Sequence, residues 1–158
     1  MGMKPNPIRE GFHTVTPSLN ILGAAEAIDF YKRAFNAVES ERMNGPDGKI
    51  VHAELKIGNS MIFLCDENPE WGCLSPKTIG GSPVSLSLYV EDVDALVHQA
   101  VAAGATLEYP LTNQPWGDRS AMVRDPYGFR WGINSHIEDV SDEELSRRMV
   151  AFFAGKAW

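Results

Sequence analysis

Residues 113–131 read NQPWGDRSAMVRDPYGFRW. Two turn-like stretches, PWGD and DPYG, flank a short strand-like run. Asp125, Pro126 and Gly128 stand where a type I turn prefers Asp, Pro and Gly. The run before this turn and the aromatic run after it therefore read as two strands of a hairpin. Working back along the chain, DVDALVHQAVAAGA (92–105) has apolar residues at helical spacing: Val93, Leu96, Val97, Ala100 and Val101. Asp92 suits the N-cap of that helix, and Gly104 its C-terminal stop. VSLSLYVE (84–91) before it reads as a strand.

The same order occurs earlier. AAEAIDFYKRAFNA (24–37) aligns with 92–105 at an offset of 68, placing Ala27 on Ala95, Ile28 on Leu96 and Ala34 on Ala102. Its apolar face is Ala24, Ala27, Ile28, Tyr31, Ala34 and Phe35, and Asn36 stands near the position of Gly104. NGPDGK (44–49) matches NQPWGD (113–118) at an offset of 69. In KIVHAELKIG, Val51, Ala53, Leu55 and Ile57 alternate with His52, Glu54 and Lys56, the period of a half-buried strand. HTVTPSLNI (13–21) precedes the first helix as VSLSLYVE precedes the second. The chain thus reads as strand, helix and three strands, written twice. The expected boundaries are 12–66 and 84–137 for the modules, 67–83 for a Gly/Pro/Ser-rich linker, and 138–158 for a tail. In that tail Ser141-Asp142-Glu143-Glu144 forms a capping box before a further helix.

Composition narrows the partners. Fourteen basic and 21 acidic residues give a net charge of −7. That balance argues against nucleic acid and anionic membranes as partners. No run of about 18 apolar residues suggests a membrane span. MGMKPNPIREGF lacks the features of a signal peptide or lipid anchor. Cys65 and Cys73 have neither metal nor redox spacing, so free thiols in a reducing cytoplasm are expected.

The duplicated module ending in a DPxG turn resembles the vicinal oxygen chelate superfamily, and within it the glyoxalase and bleomycin-resistance-like branch. The residues that carry the resemblance are AIDFYKRAFNA, PDGKIVHAELKIGNSMIFLCDE, LYVEDVDALVHQAVAAGA and GDRSAMVRDPYGFRWGINSHIED. The resemblance implies an α+β fold: duplicated βαβββ modules forming a curved mixed-sheet cup, here with an extra C-terminal helix. It also implies a small molecule in the cup and pairing of chains as a homodimer. Metal-dependent relatives place a His or Glu ligand on each of four strands around an open position. The matching positions here are Thr16, Ser85, Gly132 and one of Cys65, Asp66 or Glu67. Three of these are not competent ligands, so no metal centre and no cofactor are expected.

The candidate ligand-binding residues follow from strand alternation. They are His52, Glu54, Thr16, Ser85, Tyr89 and Asn134 on the polar faces, Trp116 in a turn, and Arg119. Hydroxyls, amides and a His beside a carboxylate suit hydrogen bonding to a ligand. Arg119 suits a ligand carboxylate through its planar fork, or equally fixes the hairpin. Among the histidines, His13 and His98 read as surface residues, while His136 ends the last strand near the expected cup mouth. The reading is of a metal-independent small-molecule binder, of the drug-sequestering kind. The alternatives are a divalent-metal glyoxalase-like lyase, isomerase or dioxygenase using His52, Glu54, Asp66, Glu67 or His136, and a structural or regulatory dimer with a vestigial cup.

Overall fold

A computed structural model describes residues 4–154. The Met-Gly start and the last four residues of the tail lie outside them. The described residues form two four-stranded mixed sheets of identical topology. In the first, β1 (Ser18–Ile21), β2 (Val38–Asn44), β3 (Ile50–Ile57) and β4 (Ser60–Asp66) lie in the order β1-β4-β3-β2, with α1 (Ala24–Phe35) between β1 and β2. In the second, β5 (Ser85–Tyr89), β6 (Thr106–Asn113), β7 (Asp118–Arg124) and β8 (Arg130–His136) lie in the order β5-β8-β7-β6, with α3 (Val93–Ala103) following β5. A short α2 (Pro76–Ile79) and a 3-10 turn at Pro69–Trp71 occupy the Gly/Pro/Ser-rich stretch between the modules. No helix among the described residues is long and apolar enough to cross a membrane.

Each module is closed by a parallel pairing of its first and last strands, β1 with β4 and β5 with β8; the other pairings are antiparallel. Helix α1 buries Ala24, Ala27, Ile28, Tyr31, Ala34 and Phe35 as its spacing predicts, and Phe30 besides. Ala53, Leu55 and Ile57 of β3 and Ile62 and Leu64 of β4 are buried on the strands of the same module. Val51 shares their parity but stays exposed. In the second module α3 buries Val93, Leu96, Val97 and Ala100, leaving Val101 outside, while Ala121, Val123, Trp131 and Ile133 are buried on the strands.

Capping follows the sequence at α3 and α4. Asp92 accepts from the Ala95 N–H (2.9 Å), and Ser141 from the Glu144 N–H (3.3 Å), opening α4 (Asp142–Phe153). Helix α1 instead starts at Gly23 with no capping side chain. Its Ala24 N–H donates to Asp66 Oδ1 at the end of β4, whose Oδ2 accepts from Ile50 N, both at 2.8 Å. Ser135 does the matching work at α3. Its hydroxyl accepts from Val93 N (3.2 Å) and donates to the Val90 carbonyl (2.6 Å). β1 is shorter than the expected 13–21 because Pro17 has no N–H to give the ladder. Its carbonyl still accepts from Phe63 N at 2.8 Å.

The chain divides into two compact units, one running up to Ser82 with Pro126–Gly128 added, the other Pro83–Asp125 with Phe129 onward. In the first unit Tyr127 packs edge-on against Phe30, ring centroids 6.0 Å apart. In the second, Asp125 is buried and organises the opening turn. Its Oδ1 accepts from Phe129 N and its Oδ2 from the Trp131 indole N–H, each at 2.9 Å. Asp125→Ala leaves two buried donors without that acceptor and is expected to cost about 2–4 kcal/mol. A urea midpoint within error of the parent protein would refute this role.

Candidate functional site

On the first unit the site is the sheet face turned away from the apolar residues of β3. His52 and Glu54 share that face through the period-2 alternation of β3. Glu54 is only 5% exposed. Its Oε1 lies 3.3 Å from His52 Nε2 and accepts a close ion-pair hydrogen bond from the Arg9 guanidinium. Phe63 of β4 pairs in register with Glu54 and packs edge-on to the His52 ring at 4.9 Å. Burial pushes the Glu54 carboxyl up, but the hydrogen bonds from Arg9 and His52 outweigh it and hold it below the ordinary value. Beside it, Asn20 Oδ1 accepts from the Cys65 thiol at 3.4 Å. Burial, then Cys73 and Asp66 nearby, push that thiol up.

On the second unit the corresponding face centres on Asp118, also 5% exposed. The Tyr89 hydroxyl donates to its Oδ2 (2.8 Å), and His136 Nδ1 meets its Oδ1 (2.9 Å). Burial raises the Asp118 carboxyl, but His136, Tyr89 and, to a smaller degree, Trp116 bring it below its ordinary value. Tyr89 is raised by the same bond, since losing its proton would place two anions together. His136 is raised by Asp139 at 3.0 Å from its Nε2, and then by Asp118. Gly117 permits this arrangement. At φ +93° it takes the Ile137 and Glu138 N–H groups on its carbonyl, and a Cβ there would lie 2.0 Å from the Glu138 oxygen.

The GDR triplet thus splits by alternation. Asp118 belongs to the Tyr89 and His136 cluster, whereas Arg119 clamps Asp94 of α3 with two hydrogen bonds of 2.7 Å and adds one to Asn113 Oδ1 at 3.0 Å. The Arg119 fork is therefore occupied within the fold. Trp116 is 42% exposed and packs edge-on against Phe152 of α4 at 6.3 Å. Asn134 donates to the Leu88 carbonyl at 3.0 Å. Ser85 is exposed on β5, and Thr16 is half-buried just before β1. His13 and His98 are exposed. Sequence reasoning missed Arg9, Phe63 and Asp118. PWGD was a signal for the last of these, since the alternation that places Tyr89 and Asn134 includes it; nothing local marked Arg9.

A cavity of about 600 Å³ in the first unit is lined by residues including Asp47, Lys49, Val51, Cys65, Trp71 and Cys73, and by none of the eight predicted ligand-binding residues. Among the described residues no group of three or more His, Cys, Asp or Glu is placed to hold a metal ion. Asp66 spends both oxygens on backbone N–H groups. Glu67 Oε2 accepts from Ser75 N (3.0 Å) and the Thr78 hydroxyl (2.7 Å).

A model of the Glyoxalase/Bleomycin resistance protein/Dioxygenase superfamily matches residues 12–133. An uncharacterised protein of Mycobacterium tuberculosis strain H37Rv is 41% identical over 138 residues, covering 85% of this chain and 81% of its own length. The crystal structure of TioX from Micromonospora sp. ML1 superposes with a TM-score of 0.61 at 27% identity, covering 79% of this chain and 99% of that one. TnmS3, an antibiotic binding protein from Streptomyces sp. CB03234, superposes at 0.59 with 25% identity, covering 78% and 95%.

The raised His136 gives a pH signature. A folded pKa above the ordinary 6.5 stabilises the fold fully below that value, and the contribution is lost as pH rises through the folded pKa. His136→Asn is therefore expected to lower the urea midpoint at pH 6 and to differ less from the parent at pH 9. A gap of equal size at both pH values would show that the charge on His136 contributes nothing.

Proposed function

The chain belongs to the glyoxalase/bleomycin resistance protein/dioxygenase superfamily, and from that membership we propose that it is a metal-independent small-molecule-binding protein of the drug-sequestering kind, acting as a homodimer. The observation that carries this is the engagement of its two buried carboxylates by donors of the fold, Glu54 by Arg9 and Asp118 by Tyr89 and His136. A general base works best with a pKa near the operating pH, and a cysteine nucleophile needs a lowered one. Here the carboxyls of Glu54 and Asp118 are held below their ordinary values and the Cys65 thiol is pushed up. Each of these three groups is shifted away from acting as a base or nucleophile, whereas His136 is shifted toward holding its proton. What they retain is binding chemistry: fixed charge and hydrogen bonds beside Phe63, Tyr89 and Trp116.

The printed description of TnmS3 as an antibiotic binding protein supports the same reading. So does the donor set, whose carboxylates are engaged by donors from the fold. For the homodimer, edge strand β6 exposes Leu107 and Tyr109, the kind of edge that a second chain can cover. Ser85, Thr16 and Asn134 add hydrogen-bonding capacity to this reading, while Arg119 contributes through the stability of β7 against α3.

The test is calorimetric titration of bleomycin and of flat aromatic antibiotics, followed by mass analysis of the recovered ligand. Binding of one ligand per chain, with the ligand unchanged, is expected. Chemical conversion of the ligand, or strong thermal stabilisation by Zn, Mn or Fe(II), would replace this reading with a metal-dependent enzyme. In solution the particle should have twice the 17.4 kDa mass of the chain.

A further inference from the structure

Glu54 has an unusual partner. It sits mid-strand in β3, 5% exposed and kept ionised. A buried carboxylate needs a compensating cation or hydrogen bonds. The cation comes from Arg9, which lies before residue 12, where the match to the superfamily begins. Residues 4–11 are exposed. The segment turns back at Arg9–Phe12, where Phe12 N donates to the Arg9 carbonyl (3.1 Å) and Gly11 adopts φ +80°. That turn stacks the Arg9 guanidinium 4.0 Å above the Phe12 ring, and Phe12 in turn packs 5.7 Å from Phe63. Glu41 stands 4.0 Å from the other guanidinium nitrogen.

This is the way a protein recognises a flat organic cation: a desolvated carboxylate at the edge, a second one behind, and an aromatic ring on the face, here Phe12 backed by Phe63. Arg9 is half-exposed and comes from an exposed segment, while Glu54 is buried, so the cation on Glu54 can be exchanged only for another cation. Resting on the small-molecule-binding reading, we infer that Glu54, with Phe63 and His52 beside it, is a subsite for the amidinium, guanidinium or amine of a ligand, and that Arg9 is a tethered occupant which the ligand cation replaces. A short tether holds its group at an effective concentration of about millimolar, so the native chain masks the affinity of its own site.

Benzamidine is the probe, with benzamide as its uncharged twin. In calorimetric titration Arg9→Ala should bind benzamidine about tenfold more tightly than the parent protein does, the order expected when a tethered competitor is removed. Benzamide should bind both alike. Adding Glu54→Gln to Arg9→Ala should abolish the gain. A measurement on the unaltered chain guards against misfolding of that variant: saturating benzamidine should speed cleavage by glutamyl endopeptidase after Glu10, because the turn is released. Equal benzamidine affinities for parent and Arg9→Ala, a gain that survives Glu54→Gln, or unchanged cleavage would each overturn the assignment. If flat aromatic antibiotics still bind one per chain in that event, only the cation subsite falls. If they do not bind either, the binding reading falls with it.

Discussion

The parallel pairing of first and last strands in each module is the constraint on which the rest depends. It sets β4 and β8 inside their sheets, flanked on both sides. It brings the ends of those strands to the start of the helix that follows the first strand. Asp66 and Ser135 stand there and satisfy the first N–H groups of α1 and α3. Helix N-termini need such acceptors. The two modules meet the same need with different side chains at equivalent places. α1 has no capping side chain of its own, so it depends on Asp66 more fully than α3, already capped by Asp92, depends on Ser135.

The same pairing fixes the faces. Once β3 lies between β2 and β4, its alternate residues must point either to the apolar side or away from it. Ala53, Leu55 and Ile57 take the buried side, and His52 and Glu54 the other. On β7 the alternation separates Asp118 from Arg119, sending one to Tyr89 and His136 and the other to Asp94. In both modules a carboxylate is sunk beneath hydrogen-bond donors on the polar face. Each is buried enough for desolvation to oppose its charge, and each stays charged because its donors prevail. Such groups hold charge in place.

The superfamily name covers binding proteins and enzymes alike, so membership alone does not select between them. What can separate them is protonation chemistry and donor geometry at particular residues. Asp66 and Glu67 illustrate the point. By residue type both were candidate ligands for an ion, yet the carboxylate of each is committed to the fold.

The sequence by itself determined the duplicated modules, the helix faces, the Asp92 and Ser141 caps, the DPYG turn and the alternation that gives His52 and Glu54 one face. All of these are local: they depend on periods of about 2 and 3.6 residues and on the preferences of single positions. It also assigned Tyr89 and Asn134 to the polar faces of their strands by alternation. Only the tertiary structure decided the partners. Arg9 reaches Glu54 across 45 positions, Arg119 reaches Asp94 across 25, and Asp66 reaches Ala24 across 42. No spacing rule connects such residues, because what joins them is the path of the backbone through the sheet. β1 was likewise shortened by Pro17, whose missing N–H mattered only once the partner strand was known. Periodicity tells which side a residue takes; the fold alone tells what waits there.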